Sequence, residues 1–214
     1  SAKSGVEVGT EKAWDYCEEM HLPRMFFINQ MDDENADFEK TLAELRKEFG
    51  KAVAPVQIPF NDEDGKFVGF INVIKRDARK KVDGKLQKCE MPADKVDQVE
   101  KLRAMVIEVA AESSEELMEK FFNDEELTED EIYDGLLAGI EAMGVSPVLC
   151  GSATLGYGVK LMMNTIVRFT PPSIEAKANF HAFHDGKDVV YCSSDDERFS
   201  AYVFKTIADP YIGR

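Results

Sequence analysis

The sequence predicts an α/β fold interrupted by an antiparallel block. Three observations carry it. Two short apolar runs, residues 24–29 and 147–150, have the composition of strands buried on both faces, as in parallel sheets covered by helices. Amphipathic segments at helical spacing flank these runs through short loops. Between them the grammar changes to turn dipeptides and extended, proline-containing stretches.

Taken in order, the first helix is expected over residues 10–21, where Trp14, Cys17 and His21 recur at helical spacing beside Ala13, and His21-Leu22-Pro23 ends it. Residues 24–29 then read as a short, fully buried strand. In the second helix Phe38, Leu42, Leu45 and Phe49 form one stripe, with Gly50 at the C′ position. Residues 53–60 are extended, and Pro55 and Pro59 suit an edge strand. Asp64-Gly65 is a turn, residues 67–74 are the return strand, and Asp83-Gly84 marks a further hairpin.

A helical stretch follows, with Val96, Val99, Leu102, Val106 and Val109 on one face. Ser113-x-x-Glu116 and Thr128-x-x-Glu131 read as capping boxes, the second leading into Ile132, Leu136, Leu137 and Ile140 and stopping at Gly144. After the second buried strand, a last helix over residues 159–168 carries Leu161, Met162, Ile166 and Val167, closed by Pro171-Pro172. Residues 173–180 read as a linker, Asp185-Gly186 as a hairpin turn, and residues 199–207 as a half-buried strand. The chain stops at Arg214 without turn or cap, as if cut inside a domain.

The 214 residues suffice for one large domain or two small ones. Acidic residues number 41 against 26 basic ones, a net charge of −15, which argues against a free-standing protein that grips nucleic acid through its phosphates. Apolar residues make up 44 %, enough for a core. No run reaches a membrane-spanning length, and the N-terminus has no apolar signal core. Cys17, Cys89, Cys150 and Cys192 are dispersed without a CxxC and read as reduced cytosolic thiols, not zinc ligands or disulfides. Charge is uneven: residues 66–90 hold eight basic and three acidic side chains, residues 91–144 four basic and sixteen acidic. Such an acidic face is either offered to a partner or simply solvated. Lys75, Arg76, Arg79, Lys80 and Lys81 read as a separate basic patch.

Chemistry concentrates at the two strand ends. Asn29-Gln30-Met31-Asp32 directly follows the first buried strand, at the sheet edge where open α/β folds bind ligands. An aspartate there can accept two hydrogen bonds from guanine N1–H and N2–H₂, a pairing adenine lacks. Alone, N-x-x-D is also the chemistry of a turn or helix cap. The second strand ends in Gly151-Ser152-Ala153, whose small side chains let backbone N–H groups approach an acceptor such as guanine O6. Together the two loops make the guanine-recognition half of a GTPase site.

The chain resembles the translational GTPases, and within them elongation factor G and its paralogues. The likeness rests on residues 4–14 (SGVEVGTEKAW), 23–29 (PRMFFIN), 113–120 (SSEELMEK), 125–129 (EELTE), 150–153 (CGSA) and 199–205 (FSAYVFK) with Asp209-Pro210, and covers nearly the whole chain. Spacing agrees: about 120 residues separate the two loops, whereas a βαβ crossover needs only about 30. The family carries its extra G′ subdomain there. The resemblance implies an α/β fold comprising the C-terminal half of a P-loop GTPase domain (residues 1–50 and 145–172), an inserted α+β G′ subdomain (51–144), and a linker with the first strands of a β-barrel domain (173–214).

It implies that Asn29 braces the loop and contacts the base, Asp32 reads N1 and N2, and Ser152 and Ala153 shape the loop meeting O6. At position 30 the family has lysine, whose stem packs on the guanine ring; Gln30 is shorter and uncharged. The family's catalytic segments lie upstream of residue 1. No G-x-x-x-x-G-K-[ST] loop exists here; residues 151–158 imitate it without the Lys-Ser/Thr end. Asp62-Glu63-Asp64-Gly65 fits D-x-x-G only inside a hairpin turn, and His21, His181 and His184 read as surface or helix-end residues.

No catalytic and no metal-ligating residue is therefore expected in this chain, and no bound GTP, GDP or Mg²⁺, although the intact protein would use them. The expected role is part of a cytoplasmic ribosomal translocase in protein biosynthesis, or of a paralogue acting in ribosome recycling or protection. The alternative is a nucleotide-independent module binding the large-subunit stalk of the ribosome through residues 91–144. No membrane partner is expected, and the exposed edge of the strand at 24–29 invites self-association.

Overall fold

The computed structural model describes residues 1–82, 85–170, 179–192, 201 and 203–207. They fall into two compact units, Ser1–Thr170 and Pro171–Arg214. In chain order the elements are α1 (Val8–Glu19), β1 (Phe26–Ile28), α2 (Phe38–Phe49), β2 (Val53–Pro55), β3 (Gln57–Asn61), β4 (Phe67–Asn72), β5 (Asp77–Val82), β6 (Lys85–Cys89), α3 (Val96–Ala111), α4 (Glu115–Phe122), α5 (Glu129–Glu141), β7 (Ser146–Cys150), α6 (Val159–Phe169), β8 (Asn179–His184) and β9 (Lys187–Cys192). Among the described residues no helix is long and apolar enough to cross a membrane.

In the first unit, β7 is the centre of a parallel sheet ordered β1–β7–β2, and all five of its residues are buried. Pro147 is tolerated there because β1 pairs only with Val148 to Cys150, so no donor is missing on that side. The strand expected to be fully buried at 24–29 is shorter. β1 lies at the sheet edge and only Ile28 is fully buried. Phe26 instead stacks with Trp14 of α1 and Phe49 of α2, at ring-centroid distances of 5.9 and 5.4 Å, and the Arg24 guanidinium lies 3.5 Å over the Trp14 ring. Helix α1 starts and ends two residues before the expected span and buries none of its residues. Helix α2 follows its sequence closely: Asp37 caps it by accepting from the Lys40 N–H at 2.9 Å, Phe38, Leu42 and Leu45 are buried, and Gly50 takes φ 89° at its end.

The extended stretch at 53–60 is two edge strands in two sheets, with Val56 as the switch. Its N–H donates to the Val148 carbonyl and its own carbonyl accepts from the Val73 N–H, both at 3.1 Å. One residue thus ties the parallel sheet to an antiparallel sheet ordered β3–β4–β5–β6. Both prolines lie on strands with a single neighbour. β4 stops at Asn72, short of Ile74, because the chain turns at residues 73–76 with Arg76 at φ 52°. β5 and β6 pair up to Val82 opposite Lys85; the turn expected at Asp83-Gly84 lies outside the described residues.

Helices α3, α4 and α5 form a packed group whose interior includes Val99, Val106, Leu117, Ile132, Leu136 and Ile140. The capping box at Ser113 does not form. The Ser113 hydroxyl donates back to the Ala110 carbonyl at 2.6 Å, and Ser114 occupies the N-cap position. The box at Thr128 does form, with reciprocal bonds to Glu131. Helix α5 ends at Glu141, and the left-handed residue is Met143 (φ 60°) instead of Gly144, whose N–H donates to the Gly139 carbonyl at 2.8 Å. In α6, Leu161 packs on the core and Phe169 is buried, but Val167 is 81 % exposed, because it lies well out of phase with those two on the helical wheel. The basic patch is not separate: Lys75 pairs with Glu129 at 3.9 Å, and Arg76 with Glu100 and Glu126 at 3.4 and 3.7 Å, so the acidic helices neutralise part of it.

Glu131 gives this helical group a pH signature. The Lys120 ammonium and the Thr128 cap hold its carboxyl down from 4.5 to about 2. A depressed folded-state pKa contributes stability that is complete above the unfolded value and vanishes as pH falls through the folded one. The wild-type chain is therefore expected to lose stability between about pH 4.5 and 2 faster than Glu131→Gln does. Urea unfolding midpoints across that window test this; parallel profiles for the two proteins would refute it.

In the second unit β8 and β9 pair antiparallel around Asp185 (φ 51°) and Gly186 (φ 74°), the two-residue turn read from the sequence. Of the strand expected at 199–207, the described residues 201 and 203–207 adopt no regular element; a strand needs a ladder partner, and none pairs with them among the described residues. Residues 171–178, most of the expected linker, lie outside the described residues.

Candidate functional site

The parallel register of β1 and β7, with Ile28 opposite Cys150, delivers the two following loops to the same sheet edge. Backbone bonds stitch them: the Gly151 N–H donates to Ile28 O at 2.9 Å and the Met31 N–H to Gly151 O at 3.1 Å. Asn29 Oδ1 accepts from the Ala153 N–H at 2.9 Å. One side chain thereby joins the two motifs. With its oxygen committed, the Asn29 amide NH₂ remains as a donor.

Ser152 is fully buried and frames its loop. Its N–H and carbonyl pair with Tyr157 at 2.9 Å each, and its Oγ accepts from the Leu155 N–H at 3.1 Å. This bridge closes a tight turn whose outer residues, 153–156, are exposed. The Thr154 N–H makes no hydrogen bond within the described residues. Glycine is required at both feet of the loop: a Cβ on Gly151 would lie 2.3 Å from the Tyr157 carbonyl, and one on Gly158 2.5 Å from the Cys150 carbonyl. Burial also pushes the Cys150 thiol well up, leaving it a packing residue.

Asp32 is exposed on the other loop, and its carboxylate has no hydrogen bond or ion pair within the described residues. Its neighbour Asp33 is engaged. It accepts from the Asn35 N–H at 2.9 Å and lies 3.4 Å from the Lys3 ammonium, and these contacts hold its carboxyl below the usual range against a smaller desolvation effect. Gln30 sits in left-handed backbone (φ 65°), and its Oε1 accepts from the Ser1 hydroxyl at 2.5 Å.

The N-terminal segment also belongs to the site, although no motif in residues 1–6 points there. The Ala2 N–H donates to Asn29 O at 2.8 Å, its carbonyl accepts from the Asp37 N–H at 2.9 Å, and its side chain is buried. Gly5 takes φ 76° against Glu44, whose carboxylate accepts from the Val6 N–H at 3.0 Å. Lys81 of β5 reaches in from the antiparallel sheet, 3.3 Å from the Leu155 carbonyl and 4.0 Å from the Tyr157 ring centroid.

The site thus offers a free carboxylate, a free amide donor and an unpaired backbone N–H around one edge, all suited to a flat heterocycle. The described residues contain no group of three or more His, Cys, Asp or Glu that could hold a metal ion. Residues 1–172 match the family of the elongation factor Tu GTP binding domain. The fold is similar to the crystal structure of a Thermus thermophilus protein, with a TM-score of 0.76 and 29 % identity over 84 % of this chain and 27 % of that one. The chain therefore spans about a quarter of that protein. On this match the chain belongs to the elongation factor Tu GTP-binding domain family, the translational GTPases.

Proposed function

We propose that this chain supplies the guanine-recognition half of an elongation factor G-type ribosomal translocase, within a longer protein that brings the phosphate-binding segments. The observation that carries the reading is the Asn29–Ala153 hydrogen bond across the two strand ends, beside the unpartnered Asp32 carboxylate. In this reading Asp32 accepts from guanine N1–H and N2–H₂, the Asn29 amide donates toward N7, and the backbone N–H of Thr154 faces O6, that of Ala153 being held by Asn29. Ser152 holds their loop in shape. Gln30, tethered by Ser1, contributes less stacking surface than a lysine stem would.

The residues fit the base of GTP or GDP. The sequence carries no G-x-x-x-x-G-K-[ST] loop to cradle phosphates, and among the described residues no cluster of three or more His, Cys, Asp or Glu stands ready for a metal ion. When bound in the longer protein, the nucleotide supplies a hydrolysable γ-phosphate; the role of this chain is to select guanine and hold it. Because phosphate contacts carry transition-state stabilisation in this chemistry, the chain alone is expected to hydrolyse no GTP. Titration of GTP into the purified chain checks the division of labour: micromolar affinity would overturn it.

Residues 51–144 form the G′ insert in this reading, with residues 1–50 and 145–172 as GTPase core and 173–214 as linker and opening of the barrel domain. A second function, stalk binding to the large ribosomal subunit, is favoured by the sixteen acidic side chains of residues 91–144. A pull-down with the stalk's C-terminal domain is expected to capture the chain and its Asp32→Ala variant equally; no capture at low salt would remove the stalk reading. The edge of β1, which has no strand partner among the described residues, also supports self-association of the chain on its own. A cytoplasmic recycling or protection factor built on the same domain would share the base pocket.

A further inference from the structure

We propose that Lys81 is a positioning residue for the base-binding loop, through which the antiparallel sheet sets guanine affinity. The proposal rests on the base-pocket reading above. Lys81 lies on β5 opposite Leu86, one residue from the exposed Lys80 and therefore on the other face of the strand. That face carries it toward the loop after β7. Its ammonium donates to the Leu155 carbonyl at 3.3 Å and sits 4.0 Å from the Tyr157 ring centroid. Tyr157 is itself seated on the antiparallel sheet, its ring 5.8 Å from that of Phe67.

The loop needs such a brace. Its base is closed by the Ser152–Tyr157 bridge, but residues 153–156 project into solvent. Two side chains from outside the loop hold this tip. Asn29 grips the Ala153 N–H on one flank, and Lys81 grips the Leu155 carbonyl on the other. Thr154, with its unpaired N–H, lies between the two anchors. A charge-assisted bond to a carbonyl combined with a cation over an aromatic face is stronger than a neutral contact of the same length. Removing it frees the flank that, on the base-pocket reading, presents the Thr154 N–H to O6. Because β5 belongs to the sheet that Val56 joins to β7, anything that shifts the sheet shifts Lys81 relative to the loop.

The test is done in the longer protein, with GDP, inosine diphosphate and ADP affinities measured by competition. Guanine and hypoxanthine share O6 and differ at the 2-amino group that Asp32 reads. Lys81→Met is expected to weaken GDP and inosine diphosphate alike, by about fivefold, leaving their ratio and the thermal midpoint unchanged. Lys81→Arg should restore both affinities to within about twofold, since Arg keeps the charge. Asp32→Ala, run alongside, should instead collapse the ratio. A wild-type protein that prefers GDP to ADP, with a Lys81→Met variant of equal GDP affinity, overturns the role of Lys81 and leaves the base pocket standing. A wild-type protein that does not distinguish GDP from ADP overturns the base pocket and this proposal with it. Equal losses in Lys81→Met and Lys81→Arg with a lowered thermal midpoint would reduce Lys81 to packing and also overturn it.

Discussion

Asp32→Asn in the longer protein is expected to weaken GDP binding on the order of a hundredfold and to shift preference toward xanthosine diphosphate. The wild-type carboxylate is exposed and unpartnered, so it can accept from both N1–H and N2–H₂ of guanine. An asparagine at the same place keeps one acceptor and presents an NH₂ group where guanine also presents a donor. Losing two charge-assisted bonds costs about 3 kcal/mol, hence the factor of about a hundred. Xanthine carries a carbonyl at that carbon, so the substituted amide meets an acceptor and recovers part of the loss. Little unfolding is expected, because no hydrogen bond or ion pair among the described residues depends on this carboxylate. Competition titration with the two diphosphates checks it. A variant within threefold of wild type for GDP would mean that Asp32 does not face the base.

That Asn29 and Asp32 stand at the carboxyl edge of a parallel sheet was legible because the signal is local: a short apolar strand followed by polar residues ends at that edge wherever the sheet is parallel. The amphipathic stripe of α2 and the turn at Asp185-Gly186 were legible for the same reason, since period and turn chemistry reside in neighbouring residues. Contacts made by backbone between distant segments were not. Val56 looks like one more residue of an extended run, and its role as the switch between sheets comes from partners at Val148 and Val73. Ala2 acts through its N–H and carbonyl on Asn29 and Asp37, so no side-chain pattern announces that the N-terminal segment braces the site. Lys81 was read as one charge of a basic run because a strand's two faces lead to different neighbours, and only the fold shows which face meets Tyr157. The box at Ser113 failed by a similar competition: its hydroxyl has a nearer acceptor in the preceding turn, the Ala110 carbonyl.

The loop's dependence on glycine gives the second large effect. Gly158→Ala is expected to destabilise the folded chain by about 3 kcal/mol. Gly158 is the N-cap residue of α6 at φ 82°, a left-handed conformation that a Cβ disfavours. The added Cβ would also sit 2.5 Å from the Cys150 carbonyl and 3.1 Å from Gly151 Cα. Those neighbours are backbone of the central strand and of the loop's opposite foot, so no flexible side chain can yield. Relief requires the two feet to part, which pulls on the Ser152–Tyr157 bridge and carries Ala153 away from Asn29. The same change should therefore lower both stability and guanine affinity. Gly156→Ala is the control: it also has positive φ, 68°, but a Cβ there meets nothing within 4 Å, so strain acts without a clash. Urea unfolding of the three proteins separates the two contributions. If Gly158→Ala costs no more than Gly156→Ala, the close approach of the loop's feet does not constrain the site, and the tip is held by Asn29 and Lys81 alone.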